Sequence, residues 1–159
     1  MTRRLPPPPS KGRRPAGLSI LCLLLLALGC SSSTEPDFFL WEGVLQPVPP
    51  STVSGVTAAV SQFGRTEVSV EIRQAQAETL YGWRVNEGTC QAEGTIKAGV
   101  GAYPLMETDE SGIATEDAVI SGLLRSGTSF TVRVYLPQEG GGQTVGACGN
   151  LEETGDPGE

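Results

Sequence analysis

The clearest pattern in the chain is an alternation of period two. Across residues 66–73, Val68, Val70 and Ile72 alternate with Glu67, Ser69, Glu71 and Arg73. Successive side chains of a strand point to opposite faces, so this pattern predicts a half-buried β-strand. Residues 129–136 repeat it, with Phe130, Val132, Val134 and Leu136 on one face and Thr131, Arg133 and Tyr135 on the other. Runs rich in Val, Thr, Ile and aromatic residues at 38–46, 53–61, 80–86, 113–121 and 143–148 read the same way, and no helical period is sustained. Seven short strands separated by Gly, Pro, Asn and Asp predict an all-β fold, an antiparallel Greek-key β-sandwich. Trp41 and Trp83 are expected in its core. Residues 62–65 are expected to form a hairpin turn and 140–142 a loop of three glycines. The long stretch 88–104 reads as irregular, and loops of that length are commonly functional or tied down. The acidic residues 152–159, with Gly155, Pro157 and Gly158, read as a frayed tail.

The amino-terminal region has a different texture. Arg3, Arg4, Lys11, Arg13, Arg14 and the prolines at 6–9 make the first 17 residues basic and unable to pack, while residues 18–28 are apolar except for Ser19. Eleven residues suit the apolar centre of a signal peptide and fall short of the ~20 needed to span a bilayer as a helix. Ala27, Leu28, Gly29 and Cys30 follow. They resemble a lipobox, the cleavage motif of bacterial lipoproteins, with alanine in place of the usual leucine. The expected organisation is therefore a signal peptide at 1–29, a lipidated Cys30 with a polar tether at 30–37, a sandwich domain at 38–151 and an acidic tail at 152–159. The mature protein would meet the membrane through its amino-terminal lipid in the bacterial cell envelope. Ser31, at a position where Asp favours inner-membrane retention, directs the expectation to the outer membrane.

Processing at that site changes the charge. Six of the eleven basic residues and all eighteen acids would remain, a net charge of −12. Such a surface repels phosphate and excludes nucleic acid as an expected partner. It also removes Cys22, while Cys30 takes the lipid, which leaves Cys90 and Cys148 in an oxidising compartment, where the two are expected to join.

Residues 81–90 read Tyr-Gly-Trp-Arg-Val-Asn-Glu-Gly-Thr-Cys, and residues 147–151 read Ala-Cys-Gly-Asn-Leu. Together they resemble the copper/zinc superoxide dismutase-like sandwich and the related CHRD-type domains. There, Gly-aromatic-His-Val-His-Glu leads to a cysteine that bridges to a carboxy-terminal Ala-Cys-Gly. The resemblance spans most of residues 38–151. It implies that copper-binding histidines would fall on Arg84, Asn86 and Tyr135, and a substrate-steering arginine on Val145. The chain has no histidine at all. A copper centre that cycles between two oxidation states is held mainly by imidazole, and an arginine cannot ligate a metal. No dismutase activity, metal or other cofactor is therefore expected.

Other chemistries fare no better. A serine or cysteine hydrolase needs a base, usually histidine, and Lys97 is the only lysine after residue 30 with no Ser-x-x-Lys spacing before it. Residues 107–112 place oxygen donors alternately before a glycine, like the start of a calcium loop, but Ala118 stands where the bidentate Glu belongs, so an acidic turn is the expectation. What remains is a non-catalytic, lipid-anchored module that contacts an envelope protein through the 88–104 loop. The alternative is a metal or small ligand held in a remodelled site near Arg84, Asn86 and Tyr135.

Overall fold

The computed structural model describes residues 38–137 and 144–155. The expected signal peptide, Cys30, the expected tether, the three glycines and residues 156–159 lie outside them. Among the described residues nine strands form: β1 (Phe38–Pro47), β2 (Ser54–Gln62), β3 (Arg65–Arg73), β4 (Leu80–Gly88), β5 (Glu93–Ile96), β6 (Met106–Glu107), β7 (Ala114–Ser121), β8 (Phe130–Tyr135) and β9 (Val145–Gly155). All pairings are antiparallel. Hydrogen bonds run unbroken in the order β5-β4-β8-β9-β1-β2-β3-β7, and β6 pairs with the first two residues of β4. The fold is thus an all-β antiparallel sheet curled so that β1-β2-β3-β7 faces β4-β8-β9. The links from β3 to β4 and from β7 to β8 join strands that are not neighbours.

The alternation read along the chain decides the inner face. Val68, Val70 and Ile72 of β3 meet Trp83 and Val85 of β4, Phe130, Val132 and Val134 of β8 and Leu151 of β9 in one buried core. Trp41 of β1 packs perpendicular to the ring of Phe130, centroids 5.4 Å apart, and so joins the two halves. Trp83 makes a T-shaped contact with Tyr103, from the segment after the 3-10 turn, at 5.2 Å. Both tryptophans are buried as expected.

Two glycines allow the curl. A Cβ at Gly43 would stand 2.7 Å from the backbone oxygen of Asn150, and one at Gly149 would stand 2.7 Å from that of Val44. The backbones of β1 and β9 approach so closely at this seam that no larger residue fits. The β2-β3 hairpin turns where expected, with Phe63 and Gly64 both at positive φ, the conformation that matches the twist of the strands it joins.

Three expectations are corrected. The acidic tail is structured as far as Gly155, because β9 continues beyond Cys148 and pairs Glu152, Glu153 and Gly155 with Glu42, Trp41 and Leu40. Its polar side chains face water while Leu151 enters the core. The 88–104 stretch is not wholly irregular: β5 pairs with the second half of β4, and a short 3-10 turn covers Val100–Ala102. All four residues of β5 are exposed, so it has no alternation to betray it. Nine strands therefore form where seven were read, the short β5 and β6 being the additions.

Candidate functional site

Every residue of β8 is buried. Its inner side chains belong to the core, so Thr131, Arg133 and Tyr135 must be covered from the other side. The cover is the segment that follows β4. In register across the two strands, Arg84 lies opposite Arg133, Asn86 opposite Thr131, and Gly82 opposite Tyr135. The three residues singled out by the resemblance, Arg84, Asn86 and Tyr135, therefore share one outer face. The Arg84 guanidinium sits 4.3 Å from the centre of the Tyr135 ring, a cation–π contact.

Asn86, 1% exposed, sits within β4 and is not the turn former its residue type suggests. Its amide nitrogen donates to the Glu93 carboxylate at 3.2 Å and to the Gly94 carbonyl at 3.3 Å. Glu93 also faces Arg133, 3.4 Å away. Arg133 in turn donates to the carbonyls of Thr89 and Cys90, both at 3.2 Å. The Cys90 N–H donates to the side-chain oxygen of Asn150 at 2.9 Å. Cys90 is joined to Cys148 by a disulfide, their Cα atoms 5.8 Å apart. The expected bridge is therefore present, and it is one of several fastenings that hold residues 89–94 onto the sheet.

The electrostatics of this face are unusual for so acidic a chain. Arg84 and Arg133 are both more than nine-tenths buried, and Glu93 is the carboxylate that pairs with one of them. Burial raises the Tyr135 phenol above its ordinary 10.0; the Arg84 and Arg133 cations oppose the rise and Glu93 adds to it. Burial likewise raises Tyr103, whose hydroxyl donates to the Val85 carbonyl at 3.4 Å. Among the described residues, Asn86 Oδ1, Thr131 Oγ1 and Arg133 Nε are buried without a hydrogen-bond partner.

This face does not fit a copper centre. Where the resemblance puts imidazoles there is a guanidinium stacked on a phenol ring, and a carboxamide already engaged with Glu93 and Gly94. Among the described residues no three His, Cys, Asp or Glu side chains come together as metal ligands. At the acidic turn, Asp109 accepts from the N–H groups of Ser111 and Ile113, at 2.8 and 3.0 Å, and so organises its own loop. Compared with models of known protein families and with curated proteins, the chain matches none.

Sequence reading missed Glu93, Arg133 and Asn150 as members of this cluster. The available signal was the outward set Thr131, Arg133 and Tyr135 in an otherwise apolar strand, since a polar face on a central strand needs a polar cover. Replacing Arg133 with methionine keeps the bulk and removes the charge-assisted hydrogen bonds. The variant should lose about 2 kcal/mol of stability and show faster amide exchange at residues 89–94, measured by denaturant melts and hydrogen–deuterium exchange. Unchanged exchange there would show that the arginine does not fasten the loop.

A second feature lies on the other side of the disulfide. The outer faces of β9, β1, β2 and β3 form a groove of ≈ 750 Å³ with Cys90 and Gln91 on its rim. Val44 and Val56, 59% and 48% exposed, supply its apolar surface.

Proposed function

We propose that this chain is a non-catalytic, lipid-anchored module of the bacterial envelope, a superoxide dismutase-like sandwich without the metal site, which holds an envelope protein through its disulfide-fastened loop. The observation that supports it most is the fastening itself. Arg133, Glu93, Asn150 and the Cys90–Cys148 bridge immobilise residues 89–94 on a rigid sheet. A loop ordered before its partner arrives loses less entropy on binding, which is how rigid sandwiches present contact surfaces. The absence of histidine from the sequence supports the non-catalytic half of the reading.

The test places a photo-crosslinking amino acid at Val100, exposed within the loop region, and at Phe63 on the β2-β3 turn as control. In living cells producing the full chain, Val100 should yield one discrete protein adduct that Phe63 does not. Cys30→Ser should shift the protein out of the membrane fraction. Equal adducts from both positions, or none, would defeat the contact reading; unchanged membrane association of the serine variant would defeat the anchor.

The three unpartnered polar atoms of Asn86, Thr131 and Arg133 favour a second reading, in which the remodelled site near Arg84, Asn86 and Tyr135 holds a metal or small ligand. Buried polar groups without partners are costly, and a ligand would relieve them.

A further inference from the structure

We infer that the groove across β9, β1, β2 and β3 receives an extended, Lys- or Arg-bearing segment of a partner protein. The inference rests on the binding-module reading and names the partner's chemistry and a second contact surface. Three observations carry it. First, among the described residues the groove is lined by Glu42, Glu71 and Glu152 and by no basic residue. Glu71 is engaged by Arg73, but among the described residues neither Glu42 nor Glu152 has an ion-pair partner. Second, Glu42 and Glu152 lie directly opposite each other in the β1-β9 register. Like charges in that position disfavour the pairing of their strands, and a cation placed between them reverses the sign of the interaction. Third, Val44 and Val56 lie exposed beside these carboxylates, an apolar strip that a side chain next to the cation would cover.

The charge pattern selects the occupant. A second copy of the mature chain, at −12, would bring more negative charge to the groove, and an anionic lipid surface would be repelled. A segment in which basic and apolar residues alternate matches both features. Basic residues would meet the glutamates and apolar ones the valines, with the charges setting the rate of encounter and the register.

The experiment measures fluorescence anisotropy of labelled alternating Lys–Val and Glu–Val peptides with the full-length membrane-extracted protein in detergent. The Lys–Val peptide should bind, and added salt should weaken it; the Glu–Val peptide should not bind. The paired substitution Glu42→Gln and Glu152→Gln should weaken binding about tenfold. Glu107→Gln with Glu110→Gln alters net charge equally but away from the groove and should leave binding unchanged. Val56→Ser should weaken it about threefold. Equal loss from both glutamate pairs would reduce the effect to net charge and overturn the inference, as would no binding of the Lys–Val peptide. If the groove fails while the Val100 adduct forms, the binding-module reading stands without it; if the adduct is absent too, both fall.

Discussion

Replacing Trp41 with alanine is expected to destabilise the domain by about 3–5 kcal/mol, the largest effect of any single substitution considered. Trp41 is 4% exposed, and its ring meets that of Phe130 at right angles across the interior, so it packs β1 against β8 rather than against its sheet neighbours. Its indole N–H has no partner among the described residues, so the loss is one of packing and apolar burial, with no hydrogen bond removed. Domains of this size are stable by about 5–15 kcal/mol, and the variant would have little margin left. Urea denaturation followed by tryptophan fluorescence, with Trp83 as the remaining reporter, measures the shift. A loss under about 1 kcal/mol would mean that the two halves of the sheet do not meet as described.

The second large effect belongs to the disulfide. Cys90 and Cys148 are 58 residues apart, and chain-entropy reasoning assigns such a closure about 4 kcal/mol, an upper figure. Replacing both cysteines with serine should cost about 2–4 kcal/mol. The fold itself should survive in buffer, because Arg133 and Asn150 still hold the loop to the sheet. The expected signature is a native circular dichroism spectrum with a lowered denaturation midpoint and faster amide exchange at residues 89–94. A midpoint unchanged by the double substitution, or by reductant acting on the unaltered protein, would contradict the stabilising role given to the bridge.

The strands that could be read from the sequence are those with one wet face. In β3, valines and an isoleucine alternate with charged residues because one side faces the core and the other water, and that alternation is visible without coordinates. β5 escaped because both of its faces are exposed, and the far half of β9 because its outward residues are acidic and its pairing with β1 depends on backbone hydrogen bonds. Arg84, Asn86 and Tyr135 were singled out by resemblance, and register brings them to one face. Glu93, which links Asn86 to Arg133, lies on the far side of a chain reversal, and its role depends on a pairing of β4 with β5 that no local pattern announces. The groove was illegible for a related reason. Glu42 and Glu152 are separated by most of the chain and become neighbours only when β9 closes against β1.

What the proposed role depends on most is that the outer face of β4 and β8 is a fastening for the loop and not a metal centre. Titration calorimetry of copper(II) and zinc(II) into untagged, chelator-treated protein tests this directly, with elemental analysis of the same material before treatment. The account predicts no stoichiometric metal in the purified protein and no saturable uptake that Asn86→Ala or Tyr135→Phe changes. One equivalent of either metal, bound tightly and lost in those variants, would contradict it.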